Sequence, residues 1–484
     1  MILRASLVSA MGNVLRIILA IASVPILVRS LGLRTYGHLS VLVAIINLGT
    51  LADMGLGAAA TVHLAGCLHS REKGRARLIV GYVLSLTIAL SALAALAILA
   101  GTPLLERWLF DDVRGGHAVA LHLSLACAAL AVVARTCFQT IISILQGAML
   151  FTLTSALQTV WFYLMQGGLI TAALLKADLP VLSAVVVGTS LFCTIVAWHY
   201  LVKHFGPVGL LVPKPNAVRR MLVGTATNIG IINLANSLVS QADKIVVGSL
   251  LSATLTGIYS TFSAIASQVN IIASAVSQPT MAYLVKSSPG GRSEQQVTFN
   301  WAFKLTTVVV LMMAGGLILS KEYVMPLLFP GIPVATYPAL GLLALSIALF
   351  SLNAPAYYAL QALGQSAYVR KVVLWSGALT LGSMCALGSL FGLEGAAGGT
   401  FAFSLVFLLT FRVADELKLG RAIIWEMLQA AVLLTVAVVV SDYTGGLAAK
   451  AGVMAAICGL SAILAKRGLR RARSNPEVGR SAVA

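Results

Sequence analysis

Five side chains in this sequence carry charge where an apolar environment is expected: Arg16, Asp53, Arg135, Asp243 and Lys244. An ionised group in hydrocarbon costs about 3 kcal/mol or more, so each should face a protein interior or a wet cavity and mark a candidate site. Arg16 and Asp53 lie near the middles of two successive apolar stretches, equidistant from a hairpin apex at Arg34 and Thr35. Equal depth on adjacent antiparallel helices predicts that they meet. Two readings of the pair stand: a salt bridge that locks the hairpin, or a cavity-facing contact with substrate or proton. Arg135 lies past the midpoint of the fourth stretch with no evident acidic neighbour. That favours an anion in a wet cavity, with bonds to backbone carbonyls as the structural alternative; its planar fork of N–H donors suits phosphate oxygens. Asp243 and Lys244 are adjacent on one helix, so they point about 100° apart and need not pair. Lys304, near the end of an apolar stretch, is expected to snorkel towards the interface.

The elements that must position these charges are helices in a bilayer. The chain is 59% hydrophobic and 10% charged, with a mean hydropathy of +0.95. A hydrocarbon core is crossed by about 20 apolar residues in helical form, because every backbone N–H and C=O must be satisfied within the segment. Fourteen such stretches are expected, at 5–31, 37–65, 78–101, 117–146, 150–175, 180–202, 220–250, 256–285, 300–320, 337–362, 368–391, 395–412, 422–441 and 446–465. The fold class is therefore an all-α polytopic membrane protein. The opening MILRASLVSAMGNVLRIILA is read as a retained first helix with no signal peptide removed.

A formal net charge of +18 would suggest nucleic acid in a soluble protein. Here the cations sit on alternate loops. With Arg4, the loops after spans two, six, eight, ten and twelve and the tail from Lys466 to Arg480 hold 22 of the 33 Lys and Arg residues. The opposite loops hold seven: Arg29, Arg34, Arg107, Arg114, Lys176, Lys321 and Lys450. The positive-inside rule places both termini in the cytoplasm, which requires an even number of spans. The basic surface then faces anionic lipid, and nucleic acid is not a partner. Cys67, Cys127, Cys137, Cys193, Cys385 and Cys458 form no C-x-x-C pair and read as packing residues. His63, His122 and His199 form no cluster of the kind a metal site wants. Asn228, Asn233, Asn236, Gln241, Gln268, Asn270 and Gln278 concentrate amides in spans seven and eight, where they would line a sugar path or bond between helices.

The two halves of the chain echo one another. PILVRSLGLRTYGHLS at 25–40 matches IVVGSLLSATLTGIYS at 245–260, placing Gly37 over Gly257 and Ser40 over Ser260, with Asn13 over Asn233. PLLERWLF at 103–110 is echoed by PLLF at 326–329, and SILQGAMLF at 143–151 by YALQALGQS at 358–366. An offset covering six spans brings both copies into the membrane from the same side, so they are related by an axis along the membrane normal. The expected organisation is a six-helix lobe at 1–208, a second at 209–415, and two extra transmembrane helices with a basic cytoplasmic tail at 416–484. Pro207, Pro213 and Pro215 suit the linker between the lobes.

The residues then point to a known group. PILVRSLGLRTYGHLSVLVAIINLGTLADMGLGAAATVHLA resembles the first hairpin of bacterial polysaccharide (O-antigen type) flippases, through Pro25, Leu31 and Gly32, Tyr36 and Gly37, and Asp53 with Gly55. QADKIVVGSLLSATLTGIYS resembles that family's seventh span, and FGLEGAAGGTFAF the start of its twelfth. The resemblance implies membership of the multidrug/oligosaccharidyl-lipid/polysaccharide exporter superfamily, two-lobed MATE-like folds that work by alternating access. It implies a flippase for an undecaprenyl-diphosphate-linked oligosaccharide in the bacterial inner membrane, serving O-antigen, capsule or exopolysaccharide. Its partners would be the lipid-linked glycan, membrane lipid, and a polysaccharide polymerase or other glycan-assembly proteins. The cations expected to hold the diphosphate are Arg16 and Arg135, with Asp53, Asp243 and Lys244 as further candidates. No cofactor is expected, and coupling to a proton or sodium gradient is left open. Drug or small-molecule export on the same fold is the alternative. A polytopic glycan ligase or polymerase would need catalytic groups on an outer loop; Glu106, Asp111, Asp112 and His117 on a short loop are the nearest set, so an enzyme is not expected.

Overall fold

In a computed structural model, residues 2–69, 73–109, 118–207, 241–278, 291–419, 422–444 and 446–473 are described, with Gly209, Thr280 and Leu284 as isolated positions. Every regular element among them is helical. In chain order these are α1 (Ile2–Gly49), α2 (Leu56–His69), α3 (Lys73–Ala100), α4 (Thr102–Leu109), α5 (Ala118–Gly147), α6 (Phe151–Leu174) and α7 (Leu179–Phe205). After the undescribed residues come α8 (241–250), α9 (Ala253–Ser277), α10 (Gly291–Leu328), α11 (Tyr337–Ser351), α12 (Ala354–Ala362), α13 (Ser366–Gly399), α14 (Phe407–Glu416), α15 (Ala422–Val439) and α16 (Leu447–Arg473). Each of the fourteen expected spans has helix at its place, although the start of the seventh lies outside the described residues. Nine stretches of the described residues are long and apolar enough to cross a membrane by length and composition. One of them, Ser366–Glu416, holds two expected spans joined through Gly392. Large apolar side chains left exposed along these helices, such as Leu93, Ile195, Trp375 and Val432, are the surface a bilayer covers.

Two helices depart from the simple reading. The first hairpin turns on Gly32 alone, whose φ of 77° lies in the left-handed region, so the two limbs of α1 follow without an intervening loop. The expected span at 37–65 is not one helix. It ends at Gly49, passes through a 3-10 turn at Thr50–Asp53, takes left-handed φ values at Met54 (47°) and Gly55 (78°), and restarts as α2. An aspartate followed closely by glycine competes with the helix for its own backbone N–H groups, and here it wins.

By contacts the chain divides into two compact units, Met1–Ser260 and Thr261–Ala484. Within the first, α5 is the central helix, packed against α7, α3 and α2. Its core side chains include Phe138, Ile141, Ile142 and Leu145, with Leu56, Ala60 and Leu64 from α2 and Ile79, Val80 and Val83 from α3. The second unit is built around α10, which packs on α11, α15 and α16.

The duplication is written in the backbone. After α5, Met149 takes φ 60° and the N–H groups of residues 148, 149 and 150 bond to the carbonyls of 144, 146 and 145. After α12, Gly364 takes φ 75° and residues 363, 364 and 365 bond to 359, 361 and 360, the same helix-ending pattern 215 positions on. Lys176 (φ 53°) is matched by Gly392 (φ 60°), and Gly206 (φ 78°) by Lys418 (φ 50°). The Arg77 Nε donates to Phe205 O at 2.5 Å, while Gln296 Nε2 donates to Leu417 O at 2.7 Å: in each copy the same helix caps the same neighbour. Among the described residues Gly32, Met54 and Gly55 have no left-handed counterpart, and the stretch of α9 equivalent to Met54 and Gly55 is unbroken.

In the first unit the two copies of the hairpin limb touch. A Cβ built on Gly37 would lie 2.1 Å from Ala253 O, and one on Gly257 2.0 Å from Leu33 O. Leu33 and Ala253 are themselves equivalent positions, so the contact is reciprocal, as a local two-fold axis requires. Backbone approach this close admits glycine alone.

In the second unit, α15 and α16 are tied to α10 by charge near both ends of its apolar stretch. Lys304 was expected to snorkel. It is instead 4% exposed and sits 3.6 Å from the Glu426 carboxylate, with Arg467 at 3.9 Å from the same oxygen. Burial against α15 leaves its ammonium no route to water, so pairing replaces snorkelling. At the other end Lys321 pairs with Asp442, presented by a π-helical turn at Val440–Thr444. Lys450 meets Glu322 at 2.5 Å.

Candidate functional site

The unmatched break in the second span opens beside α5 and α6. Asp53 stands at the N-terminus of α2, where the first N–H groups of a helix have no internal acceptors. Its Oδ1 accepts from the Gly55 N–H at 2.9 Å and its Oδ2 from the Gly57 N–H at 3.5 Å. Thr50 donates its hydroxyl to Asn47 O at 2.6 Å, and Thr61 ties α2 to α5 through Ser143 O at 2.7 Å. Asp53 is thus a capping carboxylate in mid-span, half-buried.

Arg135 projects from α5 towards α6. Its guanidinium carbon lies 4.5 Å from the centroid of the Trp161 ring, a cation–π contact. Trp161 is fixed in turn: its Nε1–H points at Ser190 Oγ at 3.5 Å, and Phe138 lies 6.2 Å away, tilted by 31°. Arg135, Trp161, Thr50, Gln139, Gln158 and Phe162 line a cavity of about 340 Å³. Among the described residues, no carboxylate pairs with Arg135 and no acceptor takes its N–H groups. The cavity therefore presents a permanent positive charge with its donors unspent, flanked by two amides and a hydroxyl.

The other expected charges are placed differently. Asp243 is buried, accepting from the Tyr259 hydroxyl at 3.2 Å and from the Lys244 backbone N–H at 2.7 Å. It joins α8 to α9. Lys244 is half-buried, and nearby Gln241 accepts from Asn47 Nδ2 at 3.1 Å. The side chain of Arg16 lies outside the described residues, and with it the expected ion pair to Asp53; Asn228, Asn233 and Asn236 lie outside them as well. So do Asp111, Asp112 and His117, while Glu106 meets His122 at 3.4 Å. Among the described residues no three His, Cys, Asp or Glu side chains gather as metal ligands would.

Sequence reasoning missed Thr50, Gln139, Gln158, Trp161 and Phe162. A signal was present: Gln139 follows Arg135 at helical spacing i+4, and Gln158 with Trp161 makes one polar turn in the next span.

A family model described as polysaccharide biosynthesis protein matches residues 2–285. No curated protein matches the sequence significantly. Among solved structures, the fold is similar to the lipid II flippase MurJ in an inward closed conformation. That likeness has a TM-score of 0.70 and 14% identity, covering 96% of this chain and 99% of that one. It is also similar to an inward-facing multidrug resistance MATE transporter of the MOP superfamily, with a TM-score of 0.66 and 12% identity, over 83% of this chain and 96% of that one. At these identities the likeness shows a fold shared with polytopic MOP-superfamily transporters. The family match covers more than half of the chain, and the chain belongs to the polysaccharide biosynthesis protein family.

Proposed function

We propose that the protein is a flippase that moves an undecaprenyl-diphosphate-linked oligosaccharide across the bacterial inner membrane by alternating access. The observation that carries this is Arg135, held against an indole face with its N–H donors unspent, at the wall of a polar cavity between helices. Carrying a diphosphate and its glycan through hydrocarbon requires a cation that can grip phosphate oxygens and polar groups that can replace water around hydroxyls. Arg135 would supply the first, and Gln139, Gln158 and Thr50 the second, while the polyprenyl tail stays in lipid. The positive sign of the cavity weighs against the alternative of exporting cationic drugs. In this reading residues 1–208 and 209–415 are the moving lobes, 416–484 is an appendage, and both termini are cytoplasmic. Polymerase and other assembly proteins would act on the product. The reading is of a transporter and not an enzyme, with no bound cofactor and with a proton or sodium gradient open as its energy source. Arg16, Asp53, Asp243 and Lys244 stand as further contacts for substrate or coupling ion.

The test is the appearance of lipid-linked glycan in the outer leaflet of cells or proteoliposomes. Arg135→Ala should insert and fold yet lose at least about tenfold in transport, the scale of one charge-assisted hydrogen-bonded contact. Arg135→Lys should retain part of it, since lysine keeps the charge but not the planar fork. Wild-type transport by Arg135→Ala at equal protein level would reject the assignment.

A further inference from the structure

A guanidinium inside an apolar span is ordinarily held by a carboxylate, and a carboxylate occupies the same N–H fork that would grip a phosphate. Arg135 is held otherwise. The Trp161 ring attracts its charge without accepting any of its N–H groups. The ring in turn has its position set by Ser190 on α7 and by Phe138, one turn on from Arg135, both fully buried. In the second copy, 215 positions on from Arg135, stands Phe350, packed on Phe403 at 4.5 Å between centroids. There, among the described residues, an aromatic pair forms with no cation over either ring. Packing at that depth of the scaffold therefore does not demand the charge.

We propose that Trp161 is the positioning residue for Arg135: it balances the guanidinium charge through its π face and aims the fork into the cavity, leaving every N–H donor available to an anionic headgroup. The proposal rests on the reading of Arg135 as the anion-binding group. A carboxylate in place of Trp161 would hold the cation more strongly and blunt it as a receptor.

The experiment uses the full chain in detergent and in proteoliposomes, with undecaprenyl diphosphate as the probe for binding and flipping. Trp161→Leu keeps an apolar side chain and removes the π face. It should weaken binding about 30-fold, the factor a desolvated cation–π contact carries. Trp161→Tyr and Trp161→Phe, which keep a ring, should weaken it less, in the order of their π faces. In an Arg135→Ala background, Trp161→Leu should have no further effect, because a positioning residue acts on the ligand through the guanidinium it positions. Equal binding across the Trp161 series, or the same loss with and without Arg135, would overturn the proposal. Should Trp161→Leu not fold, the Tyr and Phe variants in both backgrounds decide the question alone. Unchanged binding by Arg135→Ala itself would sink the parent reading and this one with it, whereas weakened binding by Arg135→Ala with a flat Trp161 series would sink this one only.

Discussion

The reciprocal crossing at Gly37 and Gly257 leads to a prediction whose size follows from the geometry. A methyl group on Gly257 would lie 2.0 Å from the Leu33 carbonyl oxygen, and 2.9 Å from its carbon. Carbon-to-oxygen contacts settle at about 3.3 Å or more. One alanine must therefore drive the two segments apart by about 1.3 Å, because backbone atoms cannot swing aside as a side-chain tip would. Overpacking of this kind costs about 1–3 kcal/mol, and a gap near 1 Å forfeits about a quarter to a half of the attraction between facing atoms. If the crossing belongs to one of the conformations in the transport cycle, Gly257→Ala should lower the population of that state by about 5- to 150-fold. Gly37→Ala should act alike, since its Cβ would lie 2.1 Å from Ala253 O. The double variant should cost less than the sum, because one alanine opens the space the other needs. The assay is electron–electron distance measurement between spin labels at Arg34→Cys and Thr254→Cys, two exposed equivalent positions flanking the crossing, in a background with the native cysteines replaced. Both single variants should shift the distribution to longer distances. An unchanged distribution in Gly257→Ala, or full additivity in the double variant, would refute the reasoning.

Glu426→Ala should destabilise the second unit by about 3–5 kcal/mol by taking its carboxylate away from the buried Lys304. Lys304→Met with Glu426→Leu should recover most of that in a melting experiment, and failure to recover would show that the pair does more than neutralise itself. Arg77→Ala should loosen the end of α7 by about 1 kcal/mol through loss of the cap on Phe205 O. Faster hydrogen exchange confined to the last turn of α7 would confirm it, and Gln296→Ala should do the same at the end of α14. Met149→Gly should stabilise by about 1 kcal/mol, because the residue holds a left-handed φ of 60° and is 66% exposed, so little packing is lost. An unchanged or lowered melting temperature would count against strain at that turn.

Much of the architecture was legible in the residues. Whether a stretch near 20 residues spans a bilayer as helix is a local matter, settled by its own apolar side chains and its own backbone hydrogen bonds. The duplication was legible too, since equivalent turns need equivalent backbone conformations: the matched segments at 143–151 and 358–366 do end in the same left-handed turn. Asp53 and Arg135 stood out because charge in an apolar run is conspicuous whatever surrounds it. What the sequence left open was direction around each helix axis. Trp161 carries no charge to single it out, and only the rotation of α6 against α5 puts its face under the guanidinium. Lys304 read as a snorkelling lysine until α15, over a hundred residues on, brought Glu426 to it. The break at Thr50–Asp53 was hidden in a run apolar enough to pass for one span. Hydropathy and periodicity determine that a helix forms and how deep each residue lies, because both depend on near neighbours in the chain. Which charges meet, which stay unpaired and where a cavity opens depend on how distant helices are rotated and packed, and only the tertiary structure decided that.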